Sequence, residues 1–250
     1  MTQTTPTSAG PLSVVLVHGA FADASSWTGV IERLQAGGVQ VTAPANPLRG
    51  ISSDSAYLAS VFDQIPGPVL AVGHSYGGAV ITNAATKARN VVGLIYVAAF
   101  APDEGERLGE VESTSKDSIL NTALVPLHYP TGRGEETAVE FAIHPAHLHE
   151  AFAADLPAVM AATQRPAAVM AFSEPSGVPA WKTLPSWAVV ATGDKAAGSD
   201  VIRSMAKRAG ATITEVDGSH VIMISQPQVV TDVILSAIAA VSEASGWPRP

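Results

Sequence analysis

Four short apolar runs, LSVVLVH (12–18), PVLAVGH (68–74), VVGLIYVAAF (91–100) and WAVVATG (187–193), constrain this chain more than any other feature. Each is rich in β-branched residues, with no polar alternation, as expected of strands buried on both faces. Two shorter runs, VQVTAP (39–44) and ATITEV (211–216), also read as strands. Helical patterns fall between them. In SSWTGVIERLQAGG, Trp27, Val30, Ile31 and Leu34 share a face and Gly37-Gly38 supplies a stop. In SDSAYLASVFDQIPG (53–67), Tyr57, Leu58, Val61, Phe62 and Ile65 do the same, with Ser53 or Asp54 expected as N-cap. YGGAVITNAATKA, SDVIRSMAKRAG and PQVVTDVILSAIAAVSEA complete the set, the last with Pro227 near its start. Strand and helix in alternation build parallel βαβ units, hence a mostly parallel open sheet with helices on both faces, an α/β fold.

The alternation fails from 101 to 184, which is too long for a loop and is expected to be an inserted cap. HYPTGRGEETAVEF reads as a hairpin around residues 131–134, and DLPAVMAATQRPAAVMAF as two short helices broken by Pro166. The expected organisation is a flexible tail over 1–11, a core of 12–100 plus 185–246, and a cap of 101–184. MTQTTPTSAGP has neither a basic residue nor an apolar stretch, so it does not read as a signal peptide, and a cytoplasmic location is the expectation. GWPRP reads as a second tail.

Composition narrows the function classes. The formal net charge is −8, which argues against nucleic acid, since phosphate binding needs clustered Lys and Arg. The apolar runs read as too short for a membrane span. With no cysteine there is neither a disulfide nor a thiolate metal site.

The strand-to-helix junction at 73–77 carries the chemistry. Gly73-His74-Ser75-Tyr76-Gly77 fits G-x-S-x-G between a buried strand and a helix, a sharp turn that projects the serine hydroxyl above the sheet edge. Positions two before and two after must be small, because two backbones nearly touch there. Gly73 and Gly77 meet that need. The stretch lacks both G-x-G-x-x-G spacing and a Walker lysine, so a nucleotide loop does not fit.

A serine hydroxyl needs a base. His220, in VDGSHVIM, follows the last strand and falls at the same sheet edge as Ser75. His18 ends the first strand, and the glycine after it suggests another job. His74, inside the elbow, is expected to face away from the nucleophile. HPAHLH in the cap reads as a solvated segment with no carboxylate framing a metal site. The imidazole in turn needs an acid. Asp194, in VVATGDK, follows the strand before the last, with Asp103 as the alternative; Asp200 is expected to open a helix. VHGAF supplies an oxyanion site: the N–H of Ala20, with Phe21 as its competitor, and the N–H of Tyr76.

Taken together, VLVHGAFADASSW, VGHSYGG, YVAAF, TGD and GSH resemble the α/β-hydrolase superfamily, in particular its small-esterase branch with plant methyl-ester esterases and hydroxynitrile lyases. The resemblance covers nearly all the core and little of the cap. It implies a Ser75–His220–Asp194 triad, in the chain order of that superfamily, a mechanism without cofactor, and a lid over the pocket; no metal is expected. Lyases of the branch carry threonine where this chain has Gly19 and lysine where it has Val221, so the resemblance leans toward ester hydrolysis. Lactonase, thioesterase, perhydrolase and a ligand receptor on the same scaffold stay open. Phe21, Leu124, Phe152, Met160 and Val221 are expected in the pocket, along with further cap residues such as Leu127, Leu156, Met170 and Phe172. A neutral, fairly apolar small-molecule ester of modest size is the expected substrate.

Overall fold

The computed structural model describes residues 10–132, 134, 136–152 and 157–245. The two tails (1–9 and 246–250), Arg133 of the hairpin loop and Leu156 of the expected pocket lie outside the described residues.

Six strands form one sheet: β1 (Ser13–Val17), β2 (Gln40–Thr42), β3 (Val69–His74), β4 (Val91–Val97), and, after a long excursion, β8 (Ser186–Ala191) and β9 (Thr212–Val216). Their order is β2-β1-β3-β4-β8-β9 and every pairing is parallel. β1, β3 and β8 are buried along their whole length, which is why they read as unbroken apolar runs. Helices Thr28–Ala36 and Pro227–Ser245 pack together, as do Ile51–Asp63 and Tyr76–Ala84.

Two sequence expectations need correction. The second helix starts at Ile51, not Ser53, with Gly50 as N-cap and no side-chain cap. Asp54 lies inside the helix and is fully buried. It accepts from the backbone N–H of Arg49 at 3.0 Å and from the Tyr76 hydroxyl at 2.8 Å. The last helix, in turn, is long and apolar enough by length and composition to cross a membrane. Here Val230, Ile234, Ala237 and Ile238 are buried in the core.

Between β4 and β8 the chain builds a separate antiparallel sheet of β5 (Leu124–Pro130), β6 (Thr137–Ile143) and β7 (Ala167–Ala168). β5 and β6 form the hairpin read from the sequence, and Pro166 falls between helices Pro157–Thr163 and Met170–Ser173. Polar links tie this segment to the parallel-sheet unit, two of them near the start of the second helix. Arg49 pairs with Glu140 at 2.9 Å, and Glu174 accepts from the backbone N–H of Ser52 at 3.0 Å.

Candidate active site

Ser75 stands between β3 and helix Tyr76–Ala84 with φ 51° and ψ −122°. A non-glycine residue in that region is strained, and only the surrounding packing can hold it there. The packing is tight. A Cβ on Gly73 would lie 2.5 Å from the Gly77 carbonyl oxygen, and one on Gly77 would lie 2.4 Å from that of Val17. The Ser75 carbonyl accepts from the N–H groups of Gly78 at 3.0 Å and Phe100 at 3.2 Å, which ties the turn to the end of β4.

His220 follows β9 and is buried. Its Nδ1 lies 2.8 Å from Oδ2 of Asp194. A carboxylate only accepts, so the ring proton sits on Nδ1 and the Nε2 lone pair is free to act as a base. Asp194 is held by its second oxygen, which accepts from the backbone N–H groups of Ala196 and Ala197, both at 2.9 Å. Ser75 and His220 line one small cavity with Ala20 and Phe21. The Ser75 hydroxyl makes no hydrogen bond among the described residues.

The cavity measures about 10 Å³, room for roughly one water. Phe100, Leu120, Phe152 and Phe172 close it. Phe152 meets the His220 ring edge-on at 5.5 Å, and Phe21 stacks on Phe172 at 6.0 Å. A second cavity, of about 200 Å³, also has Phe21 in its lining, with Ser25, Thr28, Met160 and Ile224 among others. Phe21 is the wall common to both, and its φ of 62° sets the turn that places it there.

Neither backbone N–H proposed from the sequence as an oxyanion donor, that of Ala20 or that of Tyr76, donates to another group among the described residues. The N–H of Phe21 is likewise without an acceptor. Tyr76 is the first residue of its helix, where an N–H has no partner within the helix.

The remaining expected positions divide. Phe21 and Phe152 line the cavity of Ser75. Met160 lines the outer cavity instead. Leu124 does not join either. It opens β5, opposite Ile143, and packs against the core. Val221 is buried beside His220 without facing the cavity. Leu127 and Met170 are exposed. Asp103 is an ion-pair partner of Lys182 at 2.6 Å, on the surface. Asp200 lies in the first turn of helix Ser199–Arg208. Gly19 is dictated by packing, since a Cβ there would lie 2.7 Å from that of Ser75, so threonine has no room on this backbone.

His74 does not line the cavity of Ser75. Its ring lies 4.6 Å from that of His220, and its Nε2 is 2.9 Å from the His220 carbonyl oxygen. That pairing spans 146 residues, and no local pattern announces it. Burial, with the neighbouring His220 adding to it, holds the His74 pKa well below the usual histidine range. Ala196 and Ala197 were also missed. The only local signal is the turn chemistry of an aspartate followed by small residues. Among the described residues no group of three or more His, Asp or Glu side chains could hold a metal.

The model of the alpha/beta hydrolase family matches residues 14–233. The chain belongs to that family. By family it is a hydrolase. No curated protein sequence matches the chain. Solved structures resemble it closely in fold. Polyneuridine aldehyde esterase superposes with a TM-score of 0.75 at 20% identity, over 91% of this chain and 99% of that one. A pyrethroid hydrolase from Sphingobium faniae JZ-2 gives 0.74 at 22%, over 94% and 99%. Tomato methylketone synthase I, complexed with 2-tridecanone, gives 0.73 at 19%, over 91% and 98%. At these identities the likeness speaks to the fold.

Proposed function

We propose that this alpha/beta hydrolase family protein is a serine carboxylesterase acting on small to medium neutral esters through an acyl-enzyme. One observation carries the reading: strained Ser75 and buried His220, the latter bonded to Asp194, face a single apolar cavity. Ser75 Oγ attacks the ester carbonyl carbon, and its proton passes to His220 Nε2. The N–H groups of Ala20 and Tyr76 hold the oxyanion. The C–O bond to the alcohol breaks, and the alcohol leaves with the proton from His220. Water then adds by the same route and releases the acid. Asp194 keeps the imidazole in the required tautomer and stabilises its cation.

Residues 101–184 are read as a cap, because Leu120, Phe152 and Phe172 supply much of the cavity wall. Among the described residues no lysine or arginine lines that cavity. A neutral substrate is therefore favoured over an anionic one, and ester cleavage over the release of an anion such as cyanide. At about 10 Å³ the cavity has no room for an ester, so aromatic side chains must move when substrate enters.

A panel of neutral esters of graded acyl length, run beside a cyanohydrin, tests the reading. Saturable turnover of short or medium esters with negligible cyanohydrin cleavage is expected. Cyanohydrin cleavage without ester turnover, or binding of esters without turnover, overturns it.

A further inference from the structure

His18 directly follows β1, is fully buried, and has no part in the steps above. Its ring is fixed at both nitrogens. Nε2 lies 2.9 Å from the backbone nitrogen of Asn46, whose N–H can only donate, so Nε2 is the acceptor. The proton of the neutral ring is then on Nδ1, which lies 2.8 Å from the carbonyl oxygen of Gly19 and donates to it. Asn46 adds a third link, its side-chain amide donating to the His18 carbonyl at 3.0 Å. Only the neutral ring can make both of its bonds. Burial lowers the His18 pKa and favours that form.

The Gly19 carbonyl belongs to the same peptide unit as the Ala20 N–H. In a trans peptide the two point in opposite directions. A hydrogen bond that fixes one therefore fixes the other. The need for such a bond follows from the residue. Packing against Ser75 requires glycine at 19, and glycine is the residue whose peptide turns over most readily. Turned over, the unit would present a carbonyl oxygen, not an N–H, to the developing oxyanion.

We propose that His18, held by Asn46, is a positioning residue that locks the Gly19–Ala20 peptide so that the Ala20 N–H faces the oxyanion. The proposal rests on the serine esterase reading. It predicts a defect confined to states that carry an oxyanion.

The test compares the parent, His18→Phe and Asn46→Ala. His18→Phe keeps a ring in the buried site but removes both of its hydrogen bonds. Asn46→Ala removes only the side-chain link and serves if the first variant does not fold. Three quantities are read: kcat and KM for a short neutral aryl ester, the Kd of a trifluoromethyl ketone that adds to Ser75 as a hemiketal oxyanion, and the Kd of the corresponding carbinol, which cannot react. In His18→Phe, kcat should fall on the order of 10²-fold, the cost of losing one oxyanion donor. The ketone should weaken in step, while KM and carbinol affinity stay close to the parent's. Asn46→Ala should show the same pattern with smaller losses. Unchanged ketone affinity in the folded variants overturns the proposal, as does equal weakening of ketone and carbinol, which marks a collapsed pocket. A parent that neither turns over the ester nor binds the ketone refutes the esterase reading itself, and the proposal falls with it.

Discussion

His74 Nε2 lies 2.9 Å from the main-chain carbonyl oxygen of His220. The carbonyl only accepts, so His74 donates, and the residue just before the proposed nucleophile holds the proposed base in place. Its other nitrogen, Nδ1, is buried without a hydrogen-bond partner among the described residues. A second proton on this ring would be buried and unpaired, which is the physical content of its lowered pKa.

That pairing has a consequence for stability. In the unfolded chain His74 titrates near about pH 6.5. Its folded value is lower. Below about pH 6.5 the unfolded state therefore binds a proton that the folded state refuses, and stability falls as pH falls toward the folded value. His18, also lowered by burial, adds in the same direction. Asp54 and Glu112, whose pKa values burial raises, act with the opposite sign, costing stability as pH rises from about 4. Comparing His74→Phe with the parent cancels all of these except His74. Thermal unfolding followed from neutral pH down to about pH 5 should give a shallower loss of Tm in the variant. Parallel curves would show that His74 is not linked to folding.

Asp194→Asn should keep the fold and lower kcat by about 10⁴-fold, as in related triad chemistry. The geometry gives the reason. Oδ1 accepts from two backbone N–H groups. An asparagine keeps its oxygen there and turns its NH₂ toward His220 Nδ1. The imidazole proton then moves to Nε2, the position from which it should accept the serine proton. Asp103→Asn should change kcat little, because its partner is Lys182 at the surface. Steady-state rates on both variants decide the matter; a large loss in Asp103→Asn and none in Asp194→Asn would move the acid.

Phe21 lines both the cavity of Ser75 and the larger one. Phe21→Ala should join them. Relative kcat/KM should then rise for bulkier esters and fall for the smallest, which lose a wall to pack against. A uniform loss across the acyl series would show instead that Phe21 only supports the turn.

Much of this was legible in the chain. β1, β3, β4 and β8 could be read because strands buried on both faces must be apolar throughout. The elbow could be read because Gly73 and Gly77 stand where any Cβ would strike backbone. Two kinds of feature were hidden. One is pairing between distant residues: His18 with Asn46, His74 with His220, Asp54 with Tyr76. Each joins short polar groups that local periodicity does not mark. The other is the orientation of side chains between β4 and β8. Leu124 and Phe152 look alike as apolar residues, yet one packs against the core and the other closes the cavity. Only the pairing of β5 with β6 and the docking of that sheet decide which.

The central claim is that Ser75 is the nucleophile, and covalent labelling tests it most directly. The parent, treated with a fluorophosphonate and mapped by peptide mass spectrometry, should carry the adduct on Ser75 and lose ester turnover in proportion to labelling. Ser75→Ala, folded as judged by circular dichroism, should take up no label and show no turnover above background. Labelling elsewhere with activity lost, or a Ser75→Ala protein that still hydrolyses ester at the parental rate, would contradict the account.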